Sequence, residues 1–321
     1  MIPAIGMAIA ASGALLLGAT AVAVVVVAGL ALGVAMWLAF FPFLPRDLGG
    51  APDLDPEARR VRIPLDRGDA LDGWLLPARE RAVVLVLHGY GREHSRAWRY
   101  GAFLRAAGYG VLAVDFRSSR GSRRLPTTLG HHEVVDAQAA LDWLRAEPSL
   151  AGHAVGLLGE SLGGSVALLV AAENPEVRAV VVDGAFAHAT LALEDSSQRW
   201  ARLPRRSARL ARALGRVVTG RDLGEVDVEP AAARLTDRPL FLIHALRDDR
   251  LSSANAHRLW RAAGAKDALW IIPDAGHNEG WRRHPTEYER HVLSFFDRHL
   301  LGRGLGLPAG EFTWPEPVSA G

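Results

Sequence analysis

Two hydrophobic periods alternate along most of this chain. Six apolar runs, at residues 82–87, 111–116, 154–158, 179–183, 239–244 and 268–272, are too short for helices and too continuous for half-exposed strands. They read as strands buried on both faces of a sheet. Between them, residues 95–107, 134–146, 164–173, 253–263 and 286–300 repeat apolar positions at helical spacing. Strand and helix in alternation require right-handed crossovers and give a mostly parallel sheet, which places the chain in the α/β class. Ahead of this series, 61–65 and 70–76 flank Asp66, Arg67, Gly68 and Asp69, the pattern of an antiparallel hairpin at a sheet edge.

The N-terminus follows neither period. No charged side chain occurs before Arg46, and residues 15–41 are almost continuously aliphatic. A bilayer core needs about 20 such residues, so the run is long enough to span one. Trp37, Phe40 and Phe41 stand where an interfacial aromatic belt would lie, and Pro42 and Pro45 end the helix. Two other readings stay open. A signal peptide would be unusual without a basic n-region and with so long an apolar run, and a hairpin of two short helices would also use its length. Arg46, Arg59, Arg60 and Arg62 follow the run and no basic side chain precedes it, so one pass with the later domain in the cytosol is expected, export being the alternative. The chain then divides into a membrane anchor (1–45), a linker rich in Pro, Gly and Asp (46–57), an α/β domain (58–301) with an insertion at 184–237, and a tail (302–321).

The chemistry lies where the buried runs end. Gly159, Glu160, Ser161, Leu162 and Gly163 form G-x-S-x-G between an apolar run and a helical pattern. A serine on so sharp a strand-to-helix turn needs neighbours without side chains. The run at 82–87 ends in His88, Gly89, Tyr90 and Gly91, where a loop could offer a backbone N–H to an oxyanion. The run at 239–244 is followed by Asp248 and Asp249, and the run at 268–272 by Asp274, Gly276 and His277. The order is Ser, Asp, His, each at the C-terminal end of a strand, where open α/β sheets hold ligands. Asp249 and Asp183 compete with Asp248 for the acid, and His284 with His277 for the base.

These motifs resemble the α/β-hydrolase superfamily, closest to its single-domain serine esterase, lipase and serine aminopeptidase-like branch, over residues 58–301. His88, Gly89 and Tyr90 are similar to the oxyanion loop and Gly159 to Gly163 to the nucleophile elbow. Asp115 and Arg117 look like a structural D-x-R segment, and Ala245 stands where relatives usually carry glycine. The resemblance implies Ser161 as nucleophile, His277 as base, Asp248 as orienting acid, and the N–H groups of Tyr90 and Leu162 as oxyanion donors. It implies no metal and no cofactor, an acyl ester as substrate, and a short helical lid between Gly184 and Asp237. Thioesters and small amides yield to the same apparatus. An aminopeptidase would instead need carboxylates for a substrate ammonium, and Glu160, Glu194 and Asp195 are the nearest; a catalytically silent hydrolase fold that only binds is the remaining alternative.

Composition excludes further classes. The chain has 321 residues, 49% of them hydrophobic, enough for one large core. Its net charge is only +2 and Lys266 is its single lysine, so its cations are arginines without a recognised nucleic-acid motif. Having no cysteine, it has neither disulfides nor a thiolate nucleophile. In the insertion, Arg205, Arg209, Arg212 and Arg216 share one helical stripe and Leu210, Leu214, Val217 and Val218 another. Such a helix either covers the pocket with its apolar face or lays its arginines on anionic lipid. Glu133 and Asp136 lie a helical turn apart and read as a solvated N-terminal turn rather than a metal pair.

Overall fold

The structure is a computed structural model and describes residues 19–27, 29–31, 40, 56–91, 94–119, 125–200, 202, 204, 206–265 and 268–303. Its elements run β1 (Arg59–Pro64), β2 (Ala70–Leu76), β3 (Ala82–Leu87), α1 (His94–Ala106), β4 (Gly110–Val114), α2 (His131–Ala146), β5 (Ala154–Glu160), α3 (Leu162–Glu173) and β6 (Val177–Asp183). The insertion supplies α4 (Ala189–Asp195), α5 (Arg206–Thr219) and α6 (Glu229–Ala233); then come β7 (Leu240–Ala245), α7 (Ala254–Ala262), β8 (Ala268–Ile272), α8 (Gly280–Arg283) and α9 (Pro285–Leu300).

The eight strands form one sheet in the order β1-β2-β4-β3-β5-β6-β7-β8. β1 pairs antiparallel with β2 and β2 with β4, and every pair from β3 onward is parallel. Burial follows pairing. β3 is buried at every position because helices cover both its faces, whereas β1 alternates exposed and buried as an edge strand must. One core layer joins Leu141, Val166 and Leu168 of α2 and α3 to the sheet, and the other joins Phe103, Tyr288 and Phe296 of α1 and α9. From β3 the order runs to β4 on one side and β5 on the other, so the loops after β3 and β5 bound the crevice where the topology reverses.

The expected span at 15–41 lies mostly outside the described residues. No helix among the described residues is long and apolar enough to cross a membrane. The described part of the run, including Val22, Val25, Val27 and Leu30, is exposed, but Phe40 at its end is buried. The Phe40 carbonyl accepts the Thr127 N–H at 3.0 Å.

A correction concerns α2. Glu133 and Asp136 are fully buried, not solvated. Ser118, Thr127 and Thr128 hydroxyls and the Thr128 and Gly130 N–H groups donate to the Glu133 carboxylate, and Arg117 donates to Asp136 from both its backbone N–H and its Nε. The D-x-R segment is thereby fastened onto α2. Burial, only partly offset by Arg117, pushes the Asp136 carboxyl up to about 6.

Candidate active site

Ser161 stands between β5 and α3 with φ 53° and ψ −118°, a conformation that side chains rarely adopt. Its N–H donates to the Asp183 carbonyl at 2.7 Å, and its own carbonyl accepts from Gly164 and Ser165 at 2.9 and 3.1 Å. The flanking glycines are a steric requirement: a Cβ at Gly159 would lie 2.3 Å from the Gly163 oxygen, and one at Gly163 2.2 Å from the Leu87 oxygen. Only bare backbone lets β3, β5 and α3 meet so closely.

The loop after β3 passes over this turn, bringing Gly89 against the Ser161 Cβ. Its His88 is buried, and the Phe116 N–H donates to Nε2 at 3.2 Å while Nδ1 meets the Gly89 carbonyl at 2.8 Å. That pairing fixes a neutral imidazole protonated on Nδ1, with both nitrogens holding backbone. His88 is structural. The next N–H in the loop belongs to Tyr90, which lines the cleft with Ser161, and the Leu162 N–H opens α3 without an acceptor inside the helix.

Ser161, His277 and Asp248 form one hydrogen-bonded chain. His277 Nε2 lies 3.0 Å from Ser161 Oγ and its Nδ1 2.6 Å from Asp248 Oδ2. The other Asp248 oxygen accepts the Arg250 and Leu251 N–H groups, each at 2.8 Å. Burial alone would push the Asp248 carboxyl up, but the His277 bond, the charges of His277 and His244 and the Leu251 N–H together bring it below its ordinary value. An ionised Asp248 accepts from Nδ1–H and leaves Nε2 free to take the serine proton.

The competing residues are engaged elsewhere. Asp249 is exposed. His284 bonds Asp274 at 2.7 Å. Asp183 lies beneath the nucleophile, where Tyr288 and Tyr100 hydroxyls donate to it at 3.0 and 3.3 Å. Glu160 is buried as well, held by Arg99, by the Tyr100 hydroxyl at 3.1 Å and by Asn278 Nδ2 at 3.0 Å. Asp195 is bonded by the Ser252 N–H and by Asn255. The sequence pattern missed Asn278, which follows His277 with φ 54° and ties the histidine loop to the elbow. The one available signal was Glu160, a carboxylate at the end of a buried strand that had to find donors.

The cleft above Ser161 is lined by Gly89, Tyr90, Glu160, Arg250, His277 and Asn278, with no aliphatic side chain among the described residues. Tyr90 is pushed up to about 12 by burial, against the pull of the Arg250 charge. No group of three or more His, Asp or Glu suited to a metal occurs among the described residues.

The insertion is helical, but α5 docks by an edge other than its apolar stripe. Its buried residues are Ala208 and Gly215, while Leu210, Val217 and Val218 are 48%, 82% and 42% exposed. The apolar stripe therefore does not cover the pocket. Of the arginine stripe, Arg212 makes a bidentate pair with Asp222 at 2.6 and 2.7 Å, Arg209 and Arg216 are exposed, and Arg205 lies outside the described residues.

Known proteins share this architecture. Residues 82–226 match the family described as the alpha/beta hydrolase fold. The Escherichia coli protein YfhR, itself uncharacterized, is 24% identical over 265 residues, 79% of this chain and 86% of its own. An esterase of Pyrococcus furiosus superposes with a TM-score of 0.68 at 25% identity, covering 81% of this chain and 97% of that one. An acylaminoacyl peptidase of Pyrococcus horikoshii shares the fold at a TM-score of 0.61 and 19% identity, over 79% of this chain and 43% of that one. The sheet order, the strained serine between β5 and α3 and these likenesses together show that the chain has the alpha/beta hydrolase fold.

Proposed function

We propose that the chain is a serine hydrolase that cleaves a carboxylic ester through an acyl-enzyme, held to a membrane by its N-terminal apolar run with the hydrolase domain in the cytosol. The hydrogen-bonded chain from Asp248 through His277 to Ser161 carries this reading. As Ser161 Oγ adds to the acyl carbonyl carbon, His277 Nε2 takes its proton and Asp248 holds the imidazolium that forms. The N–H groups of Tyr90 and Leu162 donate to the oxygen as it becomes an oxyanion. The tetrahedral adduct expels the alcohol, which takes the His277 proton, and water repeats both steps to release the acid and restore Ser161.

Two observations favour an ester over a peptide with a free amino terminus. Glu160, the carboxylate that lines the cleft among the described residues, is held by Arg99, and the cleft also presents the Arg250 cation. The Pyrococcus furiosus protein that superposes over 97% of its own length is an esterase. A silent binding fold would have no reason to keep Ser161 in a strained conformation within reach of an oriented imidazole.

Fluorophosphonate labelling tests this directly, followed by p-nitrophenyl esters of increasing chain length. The wild-type chain takes the label and Ser161→Ala does not, while its ester turnover falls on the order of 10⁶-fold. Label or turnover retained in pure Ser161→Ala sinks the mechanism.

A further inference from the structure

We propose that α5 is a lipid-contacting helix, lying in the headgroup region of an anionic bilayer on the side of the domain where the N-terminal apolar run arrives. Successive residues of a helix turn by 100°, which sets Ala208 and Gly215, its buried residues, on one edge. Leu210 and Val217 lie on the opposite side, pointing away from the protein, with Leu214 and Val218 beside them. Between the outward side and the docked edge runs the stripe of Arg209, Arg212 and Arg216, of which Arg209 and Arg216 are exposed. Aliphatic residues facing outward next to a cationic stripe are the arrangement of a helix lying in the plane of a membrane, its side chains among acyl chains and its guanidinium groups at the phosphates.

The chain itself connects this helix to the apolar run. Phe40, at the end of the run, is buried against α5: a Cβ at Gly215 would meet the Phe40 ring at 2.8 Å and Leu223 at 2.7 Å. Glycine at 215 admits that ring, and the Thr127 N–H holds the Phe40 carbonyl. Phe40, the described residue at the end of the apolar run, thus lies against α5. The stripe of like charge also argues against a second copy of the chain as the occupant, because a two-fold contact would set arginines facing arginines.

This rests on the proposed membrane attachment only for the direction of approach, and it is independent of the hydrolase chemistry. The absence of cysteine allows single nitroxide labels at Val25→Cys, Val217→Cys and Val135→Cys in the full chain, reconstituted in phosphatidylcholine–phosphatidylglycerol vesicles. Val135 is an exposed aliphatic residue on α2 and serves as the aqueous reference. Collision with oxygen reports lipid, and collision with a water-soluble nickel chelate reports water. The expected result is that the label at 217 resembles that at 25, favouring oxygen, and opposes that at 135. Replacing Arg209 and Arg216 by Gln should shift the label at 217 toward the nickel reagent while leaving the label at 25 unchanged. A label at 217 that behaves like 135 overturns the proposal even with 25 in lipid. A label at 217 shielded from both reagents marks a protein partner and overturns it equally. If 25 reports water while 217 reports lipid, the helix assignment stands and the anchor falls. Fluorophosphonate labelling of the same samples reports the hydrolase separately.

Discussion

The ends of β6 and β7 lie side by side, and each is followed or closed by a buried aspartate with an opposite fate. Asp248, after β7, receives an imidazole N–H and two backbone N–H groups and is held below its ordinary value. Asp183, closing β6, receives two phenols and lies near Glu160; burial first, then that neighbouring charge, push it up to about 6 despite Arg99. Depth does not distinguish them, since both are nearly inaccessible. Donors do. A carboxylate given an imidazole and backbone donors is held as an anion that can orient a base, while in one beside an acidic neighbour burial outweighs the phenol donors and Arg99 and the carboxyl rises.

The sharpest way to break this contrast is to neutralise each acid in turn. Asp248→Asn should reduce short-ester turnover by about 10⁴-fold because the imidazole loses its tautomer, whereas Asp183→Asn should stay within about tenfold of wild type. Steady-state kinetics on p-nitrophenyl acetate decide it, and the reverse order would move the acid to β6.

Stability against pH gives a second test, with opposite signs. Asp183 is raised on folding, so its contribution is present below the unfolded value near 4 and is lost as pH climbs through about 6. The loss is on the order of 3 kcal/mol, and Asp183→Asn should remove that share of the change between pH 4 and 7 in urea unfolding while the share of Asp136 remains. Asp248 is lowered on folding, so its contribution is present above the unfolded value and disappears as pH falls through the folded one. Asp248→Asn should therefore lose stability at pH 7 and lose less at acid pH.

The tie between the two loops is a smaller effect. Asn278→Ala removes the 3.0 Å donor to Glu160 and should cost about 1.5–3 kcal/mol of stability, as expected for a hydrogen bond to a charged group. Asn278→Gly, which suits φ 54°, should recover part of that loss without restoring the bond. Melting temperatures of the pair separate backbone strain from hydrogen bonding. Smallest of all, Asp249→Asn should leave turnover unchanged and stability within about 0.5 kcal/mol, since this carboxylate is exposed.

Much of this arrangement was legible before folding because the site residues sit at the ends of runs whose period is strong. Ser161, Asp248 and His277 each follow such a run, and a parallel sheet gathers its strand ends along one edge. What remained hidden depends on partners without a period. Asn278 and Glu160 are 118 residues apart, and nothing in either sequence neighbourhood announces the other. Glu133 looked solvated at the start of a helix, but Ser118, Thr127 and Thr128 close over it. The two stripes of α5 were visible, yet its docking edge was set by Gly215, whose missing side chain makes room for Leu223 and Phe40. Periodicity shows which residues share a face, and packing alone decides which face is inside.

Ser161 at φ 53° has a consequence for anyone improving this protein. The backbone there suits glycine, and holding a serine in it costs on the order of 1–3 kcal/mol. Ser161→Gly should then melt at a higher temperature than the wild-type chain while being unable to turn over. Directed evolution scored on heat resistance alone would reward the loss of the nucleophile, so a library built on this scaffold has to be screened for turnover and thermal tolerance together.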